Sequence, residues 1–185
     1  MSSYHEEILD LVDGQDQVVG SVTHEEAFDW SNLNGSFIRA SDAFIINEAG
    51  ELWIPRRTAD KRVVPNGLDY SCAEHVASGE DYLTAMVRGF DEELNLKIRP
   101  DSLIHIGTLE PQADRIPYFE AIYIYESDEV PAYNREDFVS WEWLRPEALI
   151  MRMGHGEHAK ENLDRSAVMV LHYFAQHRGH QQRDK

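Results

Sequence analysis

The fold of this chain is decided by residues 74–96, which read EHVASGEDYLTAMVRGFDEELNL. Apolar residues recur there at gaps of three, one, three and four, which is the spacing of one stripe along a helix of 3.6 residues per turn. The residues of the stripe are Leu83, Met86, Val87, Phe90 and Leu94. The pattern predicts an amphipathic helix that packs on a core.

Both ends of the predicted helix carry signals in the sequence. Ser78 is the expected N-cap, because its hydroxyl can accept a hydrogen bond from a backbone N–H of the first turn. Glu80 and Asp81 are placed favourably against the positive end of the helix dipole. Asn95 suits the C-terminal end, since asparagine tolerates the left-handed backbone conformation found there.

A second face of the helix is polar, and it carries Ala85, Arg88, Gly89, Glu92 and Glu93. The negative end of the helix dipole and mutual repulsion would both destabilise the adjacent glutamates. A hard divalent cation would relieve both effects, and clustered carboxylate oxygens are ligands that Mg²⁺ prefers. The alternative is that Glu92 and Glu93 are solvated surface charges.

This stretch resembles the signature of the Nudix hydrolase family, which runs Gly, five residues, Glu, seven residues, Arg-Glu-apolar, one residue, Glu-Glu, one residue, Gly-apolar. The matching positions are Glu80, Arg88, Phe90, Glu92, Glu93 and Leu96. The box is degenerate, because three positions depart from the pattern: Glu74 replaces the first Gly, Gly89 replaces the Glu after Arg, and Asn95 replaces the last Gly.

The departure at Gly89 bears on function. In the family the Glu at this position is a metal ligand or the general base, and glycine offers no side chain. Glu74 adds a carboxylate that the family pattern lacks, near the expected site. Two interpretations stay open: Glu74 partly replaces the lost carboxylate, or it is a solvated loop acid.

The resemblance covers nearly the whole chain and is nearest to the branch that includes isopentenyl-diphosphate isomerase. The segments that carry it are 9–13, 18–20, 51–57, 65–69 and 141–144. The isomerase uses a catalytic Cys directly before the first position of the box, where this chain has Ala73. Cys72 lies one residue early, on the opposite face of an extended segment. His75 matches a metal-binding His of that enzyme, but Arg39 stands where another would be expected, so we disfavour isomerase activity.

The resemblance implies a set of metal-binding roles. Glu92 and Glu93 would hold Mg²⁺ or Mn²⁺, joined by a backbone carbonyl near the start of the box, that of Ala73 or Glu74. Glu80 would pair with Arg88 and so orient the glutamates.

Two further roles follow from the resemblance. The general base would be an acid after the box, either Glu110 or Glu120. Arg56 or Arg57 would approach substrate phosphates, which guanidinium groups bind bidentately. Successive strand residues face opposite ways, so only one of the two arginines is expected to reach the site.

The rest of the chain predicts the order of elements. Strands are expected at 8–12, 17–22, 37–47, 51–57, 103–109, 118–125 and 138–144, the first four as two hairpins. Residues 68–76 are expected to be the strand and loop that lead into the box helix. A helix follows Pro146, and a long helix is expected at 157–177. This order fits the Nudix α/β/α sandwich with a mixed sheet. We expect one domain over residues 1–185, with an N-terminal hairpin and connection at 1–35 and a frayed tail at 178–185.

Composition narrows the function classes. The 185 residues include 17 Lys and Arg against 34 Asp and Glu, a formal net charge of −17. Such a surface disfavours nucleic-acid binding and makes a charge-neutralising cation more necessary for a diphosphate substrate. No apolar run approaches 18 residues, so no membrane association is expected. The single cysteine, Cys72, permits no internal disulfide and indicates a reducing compartment, so a cytoplasmic protein is expected.

Two functions remain in competition. The leading one is Mg²⁺-dependent hydrolysis of the diphosphate bond in a nucleoside diphosphate linked to another group. The rival is a catalytically impaired Nudix module that binds a nucleotide or a protein partner, motivated by the carboxylate missing at Gly89. The sequence does not fix the leaving group, and a homodimer is one alternative for the assembly.

Overall fold

The computed structural model describes residues 7–111 and 116–177, and the predicted frayed tail lies outside them. The described chain begins with an antiparallel hairpin, β1 (Ile8–Val12) and β2 (Val18–Thr23). A short helix α1 (His24–Ala27) and a 3₁₀ turn (Trp30–Leu33) lead to a second hairpin, β3 (Ile38–Ile46) and β4 (Leu52–Arg57). Both predicted hairpins are confirmed.

The remaining elements follow the predicted order. They are β5 (Cys72–His75), α2 (Tyr82–Leu94), a 3₁₀ turn (Pro100–Ser102), β6 (Leu103–Leu109), β7 (Tyr118–Glu126), β8 (Phe138–Leu144), α3 (Pro146–Gly154) and α4 (Leu163–His177). Among these residues, no helix has both the length and the apolar character needed to cross a bilayer.

Six strands form one sheet in the order β6-β7-β3-β4-β8, and β5 pairs with β3 beside this path. β3 and β7 run parallel, and the other pairs of this sheet are antiparallel, so the predicted mixed sheet is confirmed. β1 and β2 form a separate two-stranded sheet.

The alternation of side chains along β3 sets the layers of the fold. Ala43 and Ile45 are buried with Met86 and Phe90 of α2. The intervening Phe44 and Ile46 are buried with Leu149 of α3 and with three residues of α4, which are Leu163, Ala167 and Val170. Because successive strand residues point to opposite faces, the sheet lies between α2 on one side and α3 with α4 on the other. The predicted α/β/α sandwich is confirmed.

The box helix begins later than predicted. Asp81 is its N-cap, and its carboxylate accepts a hydrogen bond from the Thr84 N–H at 2.7 Å. Ser78 is not the cap, because its hydroxyl donates to Asp10 and Gly79 turns the chain with a φ of 81°. Asn95 ends the helix in the left-handed conformation, as predicted.

The last helix also begins later, at Leu163 rather than at residue 157. The preceding segment pairs with the chain at Leu68, whose N–H donates to the His158 carbonyl at 2.9 Å. The Leu68 carbonyl in turn accepts the Lys160 N–H at 2.9 Å. Backbone groups used in this way are not available for a helix. The pairing places Lys160 beside the sheet.

Candidate active site

A cavity of about 670 Å³ lies on the α4 side of the sheet, at its β5 edge. The sheet contributes Asp42 of β3 and Glu120 of β7, and α2 contributes Glu93. The connection before β3 contributes Phe28 and Trp30. Residues distant in the sequence therefore meet in one volume of a size suited to a small-molecule ligand.

The Glu74 side chain occupies the space beside Gly89. A Cβ atom placed on Gly89 would lie 2.4 Å from Cγ of Glu74, 3.0 Å from its Oε1, and 2.8 Å from Sγ of Cys72. Glycine is therefore required in this helix by the close approach of β5 rather than by backbone conformation. The Glu74 side chain therefore fills the space that a side chain at position 89 would enter.

Arg88 binds three acids at once. Its guanidinium donates to both oxygens of Glu80 at 3.2 Å, to Glu74 at 3.0 Å and to Glu92 at 3.3 Å. It also donates to the backbone carbonyl of His75 at 3.0 Å. The structure thus joins Glu80 to Arg88, and Arg88 fixes the position of Glu74.

Two glutamates of the site favour their protonated forms. Burial, with repulsion from Glu74, raises the pKa of Glu93 to about 8. Burial also raises the pKa of Glu74 to about 7, although Arg88 opposes this increase. Buried carboxylates that repel each other are stabilised by any cation that binds between them.

The adjacent glutamates of α2 have different surroundings. Glu93 lines the cavity, whereas the Glu92 side chain is 56% exposed and bonds to Arg88. Within residues 7–111 and 116–177, no three His, Cys, Asp or Glu side chains are grouped closely enough to hold a metal ion. The donor chemistry nevertheless fits a hard cation, since Glu93, Glu74 and the Ala73 backbone offer oxygen ligands at the cavity.

Only one of the two strand arginines reaches the cavity. Arg57 lines it and forms an ion pair with Asp69. Arg56 donates instead to Glu157 at 2.9 Å and to the Asn66 carbonyl at 2.8 Å. Their roles in substrate binding stay predictions.

The two candidate general bases, Glu120 and Glu110, lie in different environments. Glu120 is 1% exposed in the cavity wall, where it accepts hydrogen bonds from Tyr70 at 2.6 Å and from Asn162 at 3.0 Å. Glu110 is exposed. Asp42 lies beside Glu120, and burial together with the Glu120 charge raises the pKa of Asp42 well above its usual range.

Cys72 is completely buried against α2, while the next residue, Ala73, lines the cavity. The expectation that Cys72 faces away from the site is confirmed. Burial, with the charges of Glu93 and Glu74, raises the pKa of its thiol well above the usual range. A buried, protonated thiol has no catalytic role at this cavity.

Two histidines, His24 and His75, meet at the cavity. Nε2 of His24 lies 3.2 Å from Nδ1 of His75, and both rings line the cavity. Burial lowers the pKa of His75 to about 3, so this imidazole is neutral at neutral pH.

Several residues of the site were not predicted. These are Asp42, Lys61, Asp69 and Lys160, and the Lys160 ammonium lies 3.4 Å from Asp69. Asp42 could have been noticed in the sequence, since it is an acid directly before the apolar run AFII of a predicted strand, and buried acids are rare. Lys160 carried none, because its position depends on pairing between distant backbone segments.

The fold and the cavity define the class of this chain as an α/β/α sandwich in which Arg88 of α2 links acids from β5, from the loop before α2 and from α2 itself. The NUDIX domain family model matches residues 36–166. An uncharacterized Nudix hydrolase of Nostoc sp. is 40% identical over 157 residues, covering 85% of this chain and 91% of that protein. This chain belongs to the Nudix hydrolase family.

Two further comparisons place it within the family. A crystal structure of a Deinococcus radiodurans protein matches with a TM-score of 0.79 and 37% identity, covering 89% of this chain and 99% of that chain. An isopentenyl-diphosphate Delta-isomerase of Pectobacterium atrosepticum is 27% identical over 146 residues, covering 77% of this chain and 79% of that enzyme. The predicted resemblance to the isomerase branch is thus present at lower identity.

Proposed function

We propose that this protein is a hydrolase that requires Mg²⁺ or Mn²⁺ and cleaves the diphosphate bond of a nucleoside diphosphate linked to another group. The observation that carries the proposal is the Glu74 side chain beside Gly89, because it returns a carboxylate to the position that the degenerate box had lost. The site therefore keeps its acid despite the altered motif.

Glu93, Glu74, Glu92 and the Ala73 carbonyl would hold the cation. When bound, the ion neutralises phosphate oxygens and lowers the pKa of the attacking water. The chain's own residues prepare the site for it. Arg88 holds Glu74 and Glu92 through hydrogen bonds and is itself held by Glu80, so it is a positioning residue.

Positive side chains in the cavity suit an anionic substrate. Arg57, Lys61, Arg62 and Lys160 all line it, in a chain whose net charge is −17. The same cavity is lined by seven acids, which are Glu7, Glu25, Asp42, Glu74, Glu93, Glu120 and Glu161. These four cations would therefore bind phosphates together with the divalent ion rather than as a basic patch. We assign Arg57 to this role, and Arg56 to the ion pair with Glu157.

Glu120 is the proposed general base, since it is the candidate acid that lies inside the cavity. Tyr70 and Asn162 each donate a hydrogen bond to one of its oxygens, so its orientation is fixed. A base must be held within hydrogen-bond reach of the proton that it removes.

The test is a screen of nucleoside diphosphate-linked compounds with Mg²⁺ or Mn²⁺, followed by Glu93→Gln and Glu74→Gln on any substrate found. We expect each variant to lower kcat by at least on the order of 100-fold. Glu129→Gln, at an exposed position outside the cavity, is the matched control. Unchanged turnover and metal affinity in Glu74→Gln would remove Glu74 from the site.

A second candidate is a module that binds nucleotides without cleaving them. Its supporting observation is that Arg88 already forms ion pairs with Glu74 and Glu92. Arg88 therefore competes with a metal ion for these two carboxylates. Nucleotide binding by calorimetry, with no turnover of any compound in the screen, would favour this candidate.

A further inference from the structure

An exposed tryptophan stands at the cavity without a role in the fold. Trp30 begins the 3₁₀ turn Trp30–Leu33 and is 58% exposed, whereas Leu33 of the same turn is 3% exposed and packs with Leu9. Trp30 nevertheless lines the cavity that also contains Glu93. Other apolar side chains of this protein are equally exposed, but Trp30 is exposed at the wall of a ligand cavity, where its indole can be buried by a planar ligand.

Phe28 forms a second flat surface on the same wall. The Arg62 guanidinium lies 4.0 Å from the centroid of the Phe28 ring, a stacked cation–π contact. One nitrogen of Arg62 donates to both carboxylate oxygens of Glu25 at 3.0 Å, which fixes the guanidinium. The His24 ring meets Phe28 edge-on at 5.0 Å. This wall is therefore held in place before any ligand binds.

We propose that Trp30, together with the stacked pair of Phe28 and Arg62, is a subsite for the nucleobase of the substrate. Aromatic rings and guanidinium planes both stack on bases, and stacking tolerates any base because each has a π-face. Arg57 and Lys160 on the same cavity provide charge for the phosphates. The proposed ligand is a nucleotide, whose planar base can stack on these side chains and whose edge carries hydrogen-bonding groups.

An aliphatic diphosphate fits this wall poorly. An isoprenoid chain gains most from a closed apolar pocket, whereas the surroundings of Trp30 and Phe28 carry Glu25, Lys61 and Arg62. A nucleobase can stack on the aromatic rings and hydrogen-bond to such groups at its edge. The subsite thus deepens the proposed function, on which it rests for the diphosphate part of the substrate.

The experiment compares nucleoside 5′-monophosphates with ribose 5-phosphate, which lacks a base, by calorimetry in millimolar Mg²⁺. We expect the nucleotides to bind on the order of tenfold more tightly than ribose 5-phosphate. Trp30→Ala is expected to remove most of this difference, and Trp30→Phe to keep most of it. Trp141→Ala is the control, because Trp141 is 37% exposed on β8 and lies outside the cavity wall.

Equal binding of nucleotide and ribose 5-phosphate, or an unchanged ratio in Trp30→Ala, would overturn the subsite. The thermal midpoint of each variant is measured in parallel, and Arg62→Gln, which breaks the stack on Phe28, gives a second readout if Trp30→Ala folds poorly. The assay needs no turnover. Base-dependent binding lost in Trp30→Ala, in a protein that hydrolyses nothing, supports the subsite and counts against the hydrolase. Hydrolysis with equal KM for substrates with and without a base supports the hydrolase and counts against the subsite.

Discussion

The contact between Glu74 and Gly89 shows how a degenerate motif can keep its chemistry. A glycine inside a helix costs on the order of 1 kcal/mol relative to alanine. Here the missing side chain makes room for a carboxylate that enters from the neighbouring strand β5. The two departures from the box at positions 74 and 89 are therefore coupled sterically, and the proposed function requires that they also compensate each other in chemistry.

This compensation predicts the outcome of exchanging the two residues. Gly89→Glu alone is expected to destabilise the fold and lower activity, because its Cβ would overlap Cγ of Glu74. Glu74→Gly alone removes the carboxylate and is expected to abolish activity. The double variant, with Gly at 74 and Glu at 89, removes the overlap with Glu74 but not the 2.8 Å approach to Sγ of Cys72. It is therefore expected to recover part of the parent's kcat in the presence of Mn²⁺ and to stay less stable than the parent.

The control for the exchange is Gly154→Glu, since a Cβ on this helical glycine meets nothing within 4 Å. It is expected to leave stability and activity nearly unchanged. Measurements of kcat and of the thermal midpoint on all four variants test whether positions 74 and 89 can exchange their residues. A double variant no more active than the worse single variant would show that the two positions are not equivalent.

The raised pKa of Glu93 predicts a pH-dependent stability of the metal-free protein. The folded-state pKa of about 8 exceeds the ordinary value of 4.5, so the folded state holds this proton more tightly than the unfolded state. Ionisation of Glu93 destabilises the folded state. This destabilisation is absent at pH values below the pKa of Glu93 in the unfolded state and complete above its pKa in the folded state. The free energy of unfolding is therefore expected to fall as the pH rises from about 5 to about 9.

Glu93→Gln is expected to remove more than about 1 kcal/mol of this decline, measured by urea denaturation with a chelator present. Glu129→Gln, at an exposed position, should keep the parent's slope. Added Mg²⁺ should raise the stability of the parent more at pH near 9 than near 5. A parent whose stability is flat over this range would contradict the assignment.

At the scale of elements, local pattern predicted most of the fold. β1, β6 and β8 have the predicted bounds, because alternating apolar residues and flanking turn residues mark strands clearly. The start of α4 could not be predicted, since residues 158–160 pair with Leu68, which is distant in sequence. Local propensity gives no information about such tertiary pairing.

The cap of α2 was misplaced for a related reason. Ser78 and Asp81 are both good N-caps, and the choice depends on the hydrogen bond from Ser78 to Asp10 of β1. Asp81→Ala is therefore expected to cost about 1 kcal/mol of stability in urea denaturation. Ser78→Ala should cost clearly less, because it breaks only an exposed hydrogen bond. An equal or larger loss in Ser78→Ala would show that the helix depends on the earlier residue.

The candidate site was predictable only where its residues belong to the box. Glu80 and Arg88 meet because of helix geometry and the turn before it. The separation of Glu92 from Glu93 follows from the side of α2 that β5 covers, which the sequence pattern did not specify. Asp42, Lys61 and Lys160 enter the cavity from three different segments, so their proximity required the assembled fold.

At the scale of the whole molecule, the N-terminal segment completes the cavity. The family match begins at residue 36, yet Phe28 and Trp30 of the cavity wall precede it. Leu9, Val22, Ala27 and Leu33 of this segment form a buried cluster with Ile38 at the start of β3. The six-stranded sheet has two other core clusters, one on each face. The part of the cavity wall formed by Phe28 and Trp30 is therefore carried by a different packed cluster from the two that lie on the faces of the sheet.

This division predicts that loosening the N-terminal cluster will impair substrate binding before it unfolds the sheet. Leu33 is 3% exposed, and Leu33→Ala is expected to cost about 2–5 kcal/mol locally. Amide exchange should accelerate in residues 8–33 and remain slow in β3 and β7, and KM should rise several-fold with a smaller change in kcat. Leu149→Ala, a fully buried leucine of the α3 side, is the matched control and should lower the global thermal midpoint without a selective change in KM. Uniform acceleration of exchange across the sheet in Leu33→Ala would show that the two clusters unfold together, and that the cavity wall has no separate stability.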